Sequence, residues 1–155
     1  MDEWLGGYAE LAKSVFPNAD PEYPGAGAAG GLGFAFKAFL GATLESGISI
    51  ILSETGIEDH IKDADVVVTG EGRIDFQTAM GKAPIGVAKL AKKHGKKVIA
   101  FAGCVTDDAE ECNLHGIDAF FPIIRGITTL DEALNKENAI KNLKATAYQV
   151  FRLMF

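Results

Sequence analysis

The sequence has few cysteines and histidines. Its 155 residues include two cysteines, Cys104 and Cys112, and three histidines that lack the spacing of zinc ligands. Two cysteines are too few for the disulfide framework that stabilises small secreted domains. The scarcity excludes a disulfide-rich extracellular module and a zinc-finger type of protein. Cys104 has no histidine near it in sequence, so we predict that it is buried rather than nucleophilic.

Basic charge and long apolar runs are also in short supply. The chain has 15 Lys and Arg against 21 Asp and Glu, which gives a net charge of -6. Nucleic acids and anionic membranes are bound through basic surfaces, so neither is predicted as a partner. No apolar run approaches the roughly 20 residues of a membrane-spanning helix. The acidic N-terminus does not have the pattern of a signal peptide, and we expect a cytoplasmic protein.

A phosphate-binding P-loop is missing as well. The pair Gly81-Lys82 is preceded five residues earlier by Phe76 rather than by glycine, and Ala83 stands where that motif requires Ser or Thr. Any ATP-binding mode must therefore be of another kind.

The first 64 residues predict helices and a linker-like segment. Apolar side chains recur at helical spacing near the N-terminus, whereas three prolines between positions 17 and 24 exclude a helix there. A run of glycine and alanine follows at 25–33. Helices are predicted at Glu3–Val15, Phe34–Leu40, Ile48–Ser53 and Ile57–Lys62.

From Asp65 onward, short β-branched runs alternate with amphipathic helices. This alternation predicts an α/β fold: a parallel sheet of about three strands with flanking helices, half of a Rossmann-like domain. We assign residues 1–64 to a helical segment of a second domain and residues 65–155 to the C-terminal part of the α/β domain. The strands are predicted at Asp65–Thr69, Lys97–Ala102 and Ile117–Ile124. Helices are predicted around residues 83–94, at Asp107–Leu114 with Asp107 as its N-cap, and after a capping box that begins at Thr129.

The stretch Thr69–Lys82, with a predicted loop at Gly70–Met80, holds the densest set of chemical groups. We predict a loop here at the carboxyl end of a buried strand, where open parallel sheets bind their ligands. Arg73 offers a bidentate fork for a carboxylate or a phosphate. Asp75 can hold magnesium or accept a hydroxyl proton, and Lys82 can neutralise phosphate charge. The alternative is a structural loop in which Arg73 pairs with Glu71 or Asp75.

The glycine run has two open interpretations. The spacing Gly25-x-Gly27-x-x-Gly30 matches the dinucleotide fingerprint, but prolines precede it where that motif needs a strand. Small residues let backbone N–H groups approach an anion at a helix N-terminus. They equally let two backbones pack tightly, and the sequence does not choose between these roles.

Two segments resemble motifs of the bacterial type I glycerate kinases. Pro24–Gly33 is similar to the Gly/Ala motif of that family, and Ala64–Ala88 is similar to its longest signature. The resemblance extends from about Trp4 to the end of the chain. It implies a two-domain α/β enzyme with its active site in a cleft. It also implies ATP with Mg²⁺ as phosphoryl donor and D-glycerate as acceptor, with 2-phosphoglycerate as the product for most bacterial members.

The resemblance and the residue chemistry together define the candidate site. Arg73, Asp75 and Lys82 are the candidate catalytic residues, and Asp75 is also the candidate metal ligand. The candidate substrate- or nucleotide-binding residues are Gly27, Gly30, Gly31, Gly70, Glu71, Gly72, Gln77 and Thr78.

Members of the resembled family are much longer than this chain. We therefore expect a C-terminal portion whose partner is the missing N-terminal half of the enzyme, and we expect the isolated chain to be inactive. The alternative is a non-catalytic α/β module that binds a carboxylate or a nucleotide.

Overall fold

A computed structural model describes residues 2–155 of the chain. The chain forms two compact units, Met1–Ile50 and Ile51–Phe155. Helix α1 spans Asp2–Val15, α2 spans Ala28–Leu40, and α3 (Gly47–Thr55) crosses the boundary between the units. The segment between α1 and α2 is made of turns, as its prolines predict. No helix within residues 2–155 is long and apolar enough to cross a membrane.

Small side chains dominate the core of the first unit. Ala9 and Ala12 of α1 pack with Phe34 of α2 and with alanines of the turn segment. Gly33 lies so close to this segment that an added Cβ would stand 2.2 Å from the carbonyl oxygen of Gly25. Helix α2 can therefore pack against the turn only because position 33 has no side chain.

The second unit is a three-stranded α/β structure. Its strands are all parallel and lie in the order β1-β2-β3, which confirms the predicted sheet. The elements are α4 (Ile57–Asp63), β1 (Val66–Ile74), α5 (Phe76–Ala79), α6 (Ala83–Lys93), β2 (Lys97–Val105), a 3₁₀ turn (Asp107–Glu110), α7 (Glu111–Leu114), β3 (Ala119–Pro122), α8 (Leu130–Leu134) and α9 (Lys136–Met154).

Alternate side chains of β2 point to opposite faces of the sheet, and both faces are buried. Val98 and Ala100 face one way, where they pack with Ile85 of α6. Ile99 and Phe101 face the other way, and Val150 of α9 belongs to their cluster. This is the period-two pattern of a strand buried on both faces, and it fixes α6 and α9 on opposite sides of the sheet.

Strand lengths differ from the prediction. Strands β1 and β2 continue to Ile74 and Val105, several residues past their β-branched runs, because their pairing persists to the register pair Ile74↔Val105. The predicted loop that begins at Gly70 is therefore extended strand as far as Ile74. Conversely, β3 is shorter than predicted and ends at Pro122, after which one further bond joins it to β2, from the N–H of Ile123 to the carbonyl oxygen of Ala102 at 2.7 Å.

The helix predicted at Asp107–Leu114 is divided into a 3₁₀ turn and a short α-helix. Thr106, not Asp107, occupies the N-cap position, and its hydroxyl bonds to the carboxylate of Asp108. The capping box predicted at Thr129 is confirmed, since Thr129 and Glu132 exchange both of its hydrogen bonds.

The contact boundary at 50/51 places α4 in the second unit, where Ile61 is part of the core. The division at 64/65 assigns segments to the domains of a longer enzyme, and it stays a prediction.

Candidate functional site

The polar residues of the predicted loop lie on β1 and on the turn that follows it. Glu71 and Arg73 are strand residues, whereas Asp75 is the N-cap of α5. The Asp75 carboxylate accepts a hydrogen bond from the backbone N–H of Thr78 at 3.2 Å, and the Thr78 hydroxyl accepts one from the N–H of Asp75, also at 3.2 Å. This capping box turns the chain sharply from strand to helix. It also fixes the position of Asp75.

Thr78 joins the two carboxylates of the site. Its side chain is completely buried, and its hydroxyl donates a hydrogen bond to Oε1 of Glu71. The same hydroxyl accepts the N–H of Asp75, so it fixes both acidic residues at once. We name Glu71, Arg73, Asp75, Thr78 and Lys82 the polar cluster.

Two cations face Asp75. The Nε atom of Arg73 lies 3.8 Å from Oδ2 of Asp75, and the Nζ atom of Lys82 lies 3.5 Å from Oδ1. The side chain of Asp75 is 16% exposed, whereas those of Arg73 and Lys82 are 63% and 42% exposed. The cations therefore pair with Asp75 and still present donors to solvent, which suits the binding of an anion.

The environment of Asp75 keeps it ionised at neutral pH. Burial alone would raise its pKa, but the N–H of Thr78 and the ammonium of Lys82 outweigh this effect and lower the pKa below its ordinary value. Among the described residues, no three His, Cys, Asp or Glu side chains are grouped to hold a metal ion. Glu71 and Asp75 form a pair of carboxylates. One or two carboxylates suffice for Mg²⁺ when substrate phosphates complete its coordination.

Two cavities adjoin the polar cluster at the carboxyl end of the sheet. One of about 330 Å³ lies along Gly70, Phe101 and Leu143. The other, of about 310 Å³, extends under α8 and α9. We name it the α8–α9 cavity; its lining includes Cys104, Ile123, Leu134 and Asn142. Glu71, Gly103 and Ile123 line both cavities.

Cys104 is exposed, so the prediction that it is buried is wrong. The pairing of β2 with β3 ends at Ala102↔Pro122, and Cys104 lies beyond that covered part of the strand. Sequence reasoning also missed Asn142, because a single amide in an amphipathic helix carries no local signal for a cavity.

The other candidate residues lie in different places. Gly70 and Gly72 are in β1, and Gln77 is exposed on α5. Gly27, Gly30 and Gly31 belong to the first unit. There they line a cavity of about 380 Å³ with Leu5, Tyr8 and Phe34. Their ligand-binding roles stay predictions.

The fold is that of an α/β protein whose candidate site lies at the carboxyl edge of a parallel sheet, the edge at which open sheets bind their ligands. Comparison with known protein families identifies the family within this broad fold class. The model of the glycerate kinase family matches residues 1–155, and the chain belongs to that family.

Known relatives agree with this assignment. The chain is 49% identical over 151 residues to the glycerate 2-kinase of Escherichia coli K12, an alignment that covers 94% of this chain and 40% of the relative. It is 41% identical over 150 residues to the glycerate kinase of Bacillus subtilis 168, covering 97% and 39% of the two chains. A crystal structure assigned as glycerate kinase 2 of Salmonella typhimurium LT2 matches with a TM-score of 0.66 and 42% identity, covering 97% of this chain and 37% of that one. The chain thus spans about two fifths of the length of these relatives.

Proposed function

We propose that this chain forms part of a glycerate kinase, which transfers the γ-phosphoryl group of ATP to a hydroxyl of D-glycerate. The observation that carries the proposal is the family match over the whole chain. The polar cluster supports it, because phosphoryl transfer requires mainly positioning and charge neutralisation. We further propose 2-phosphoglycerate as the product, since the Escherichia coli relative bears the name glycerate 2-kinase.

Each charged residue of the polar cluster has a proposed role. Arg73 binds the carboxylate of glycerate through its planar fork. Lys82 neutralises charge on the transferred phosphoryl group. Asp75 orients the attacking hydroxyl and accepts its proton. The hydroxyl oxygen bonds to the γ-phosphorus while the bond from that phosphorus to the β,γ-bridging oxygen breaks, and ADP leaves with that electron pair.

The lowered pKa of Asp75 makes it a weak base. In a loose phosphoryl-transfer transition state the hydroxyl loses its proton late, so orientation by the charge of Asp75 contributes more than its basicity. Mg²⁺ bound with ATP supplies further neutralisation of the phosphates, and Glu71 and Asp75 are the carboxylates available to hold it.

The chain alone is proposed to have little or no kinase activity. Catalysis in a cleft needs groups from both of its sides, and the named relatives are more than twice as long as this chain. We propose that the counterpart of their remaining length supplies the other groups. A cytoplasmic location stays a prediction.

A chimera tests the proposal. This chain replaces the matching segment of the Escherichia coli relative, and ATP-dependent phosphorylation of D-glycerate is measured for the chimera and for the chain alone. We expect turnover by the chimera and not by the chain. A folded chimera without turnover would favour the alternative, a non-catalytic module that binds a carboxylate or a nucleotide.

A further inference from the structure

The α8–α9 cavity has the position of a ligand site and a chemistry unlike that of the polar cluster. It lies where the three parallel strands end: Gly72 comes from β1, Gly103 from β2, and Ile123 follows β3 directly. Ligands of open parallel sheets bind at this edge. Since Glu71 also lines the cavity, a molecule seated there has one end beside the polar cluster.

The lining of the cavity is mainly apolar. Ile123, Ile124, Leu130 and Leu134 contribute aliphatic surface, and glycines of β1 and β2 leave part of the floor without side chains. Position 72 is open, since a Cβ added there would meet nothing within 4 Å. A volume of about 310 Å³ is at the lower end of the range for small-molecule sites. A flat ring system fits such a space, whereas a small charged acid such as glycerate gains nothing from apolar walls.

Asn142 places a polar group against these walls. Its side chain is half-buried in the lining of the cavity, and it makes no hydrogen bond within the part of the chain that the structure describes. A carboxamide carries two donors and two acceptor sites. A ligand edge with one donor and one acceptor would satisfy both the carbonyl and the amino group of this amide.

We propose that the α8–α9 cavity binds the adenine ring of ATP and that Asn142 recognises the edge of that ring. The faces of adenine are apolar, and its edge offers an amino donor next to a ring-nitrogen acceptor, which asparagine can engage through two hydrogen bonds. The phosphates then extend from the cavity past Glu71 toward Lys82. This inference rests on the proposed function only in taking ATP as the phosphoryl donor.

The test uses adenosine, which has no phosphates and therefore reports on the base site alone. Binding of adenosine and of the non-hydrolysable analogue AMP-PNP to this chain is measured by calorimetry. Asn142→Leu removes the proposed hydrogen bonds to adenine and keeps a side chain of similar size. Ala133→Phe places a large side chain in the cavity. Gln149→Leu, an exposed position elsewhere on α9, is the matched control.

We expect Asn142→Leu to weaken adenosine binding roughly tenfold, Ala133→Phe to abolish it, and Gln149→Leu to leave it unchanged. Circular dichroism and thermal melts verify that each variant is folded. Two results would overturn the site: failure of the unsubstituted chain to bind adenosine at millimolar concentration, or unchanged adenosine affinity in both cavity variants. In either case, if the chimera phosphorylates glycerate, the proposed function still holds and the adenine ring binds at another place.

Discussion

Thr78 illustrates how a buried hydroxyl determines the geometry of exposed charges. Its side chain is completely buried, yet it donates a hydrogen bond to the side chain of Glu71 and forms the capping box with Asp75. Such a residue acts through the carboxylates that it orients. Its contribution is measurable separately from theirs, because valine matches its shape without the hydroxyl.

For Thr78 we predict that the hydroxyl, not the methyl group, matters for turnover. Thr78→Val leaves Glu71 without its donor and should lower kcat of the chimera at least tenfold. It should also destabilise the fold by about 1–3 kcal/mol. Thr78→Ser keeps the hydroxyl and should retain kcat within a few-fold, despite losing about 0.8 kcal/mol of methyl burial. Steady-state kinetics and urea unfolding of both variants provide the test. Equal kcat losses in the two would show that Thr78 acts only through packing.

Asp75→Asn separates charge from capping, because asparagine is as good an N-cap as aspartate. We predict that turnover of the chimera falls by a factor of about 10² to 10⁴ with little change in melting temperature.

Arg73→Lys keeps the charge but loses the planar fork, and it should raise KM for glycerate. If both variants instead lower stability and keep near-normal turnover, the two residues only pair to hold the turn.

At the scale of elements, glycines permit the close pairing of β1 and β2 at the site. A Cβ added at Gly103 would lie 2.5 Å from the carbonyl oxygen of Gly72. Gly103→Ala must therefore push the strands apart, and we predict a loss of about 1–3 kcal/mol in the free energy of unfolding. Gly72→Ala points a methyl group into open space and is the matched control. Equal unfolding free energies for the two variants would contradict the close contact.

Helix α4 is held to the C-terminal end of α6 by a charged cluster. Oε1 of Glu58 lies 2.8 Å from Nζ of Lys93 and 2.7 Å from Nε2 of His94. Hydrogen bonds from Lys93 and from His94 lower the pKa of Glu58 from 4.5 to about 2. A lowered folded-state pKa means that this stabilisation is complete above pH 4.5 and disappears as the pH falls toward 2.

We predict that Glu58→Gln lowers the melting temperature at pH 7 and that the difference from the unsubstituted chain narrows between pH 4.5 and 2. Thermal melts of both proteins across this pH range measure the difference in melting temperature. Glu54→Gln, the same change at an exposed position of α3, should have no such effect. A pH-independent difference between Glu58→Gln and the unsubstituted chain would rule out this ion cluster as its cause.

At the scale of the whole molecule, large apolar side chains remain at the surface. Ile127, Leu134 and Leu153 are between 74% and 109% exposed. Surfaces of this kind promote association, so we predict that the chain self-associates at micromolar concentration. Sedimentation velocity over a concentration series is the measurement, with Ile127→Lys and Leu153→Lys together expected to reduce association. A clean monomer at high concentration would contradict the prediction.

The sequence by itself determined the parallel sheet and the family. Short β-branched and apolar runs that alternate with amphipathic helices are typical of parallel strands joined by right-handed crossovers. The strands predicted at Asp65–Thr69, Lys97–Ala102 and Ile117–Ile124 therefore correspond in place and direction to β1, β2 and β3. Strand ends were less predictable. Hydrogen bonding continued β1 through Arg73, where composition indicated a loop.

Only the tertiary structure decided which side chains meet. Thr78 bonds to Glu71 because the capping box at Asp75 turns the chain after β1, and Asn142 lines the cavity at the strand ends because α9 packs on that face of the sheet. The exposure of Cys104 likewise follows from where β3 ends, which is a property of a neighbouring strand. Local patterns specify elements through short-range sterics and periodicity. Contacts between residues distant in sequence depend on how whole elements pack, and no single segment encodes that.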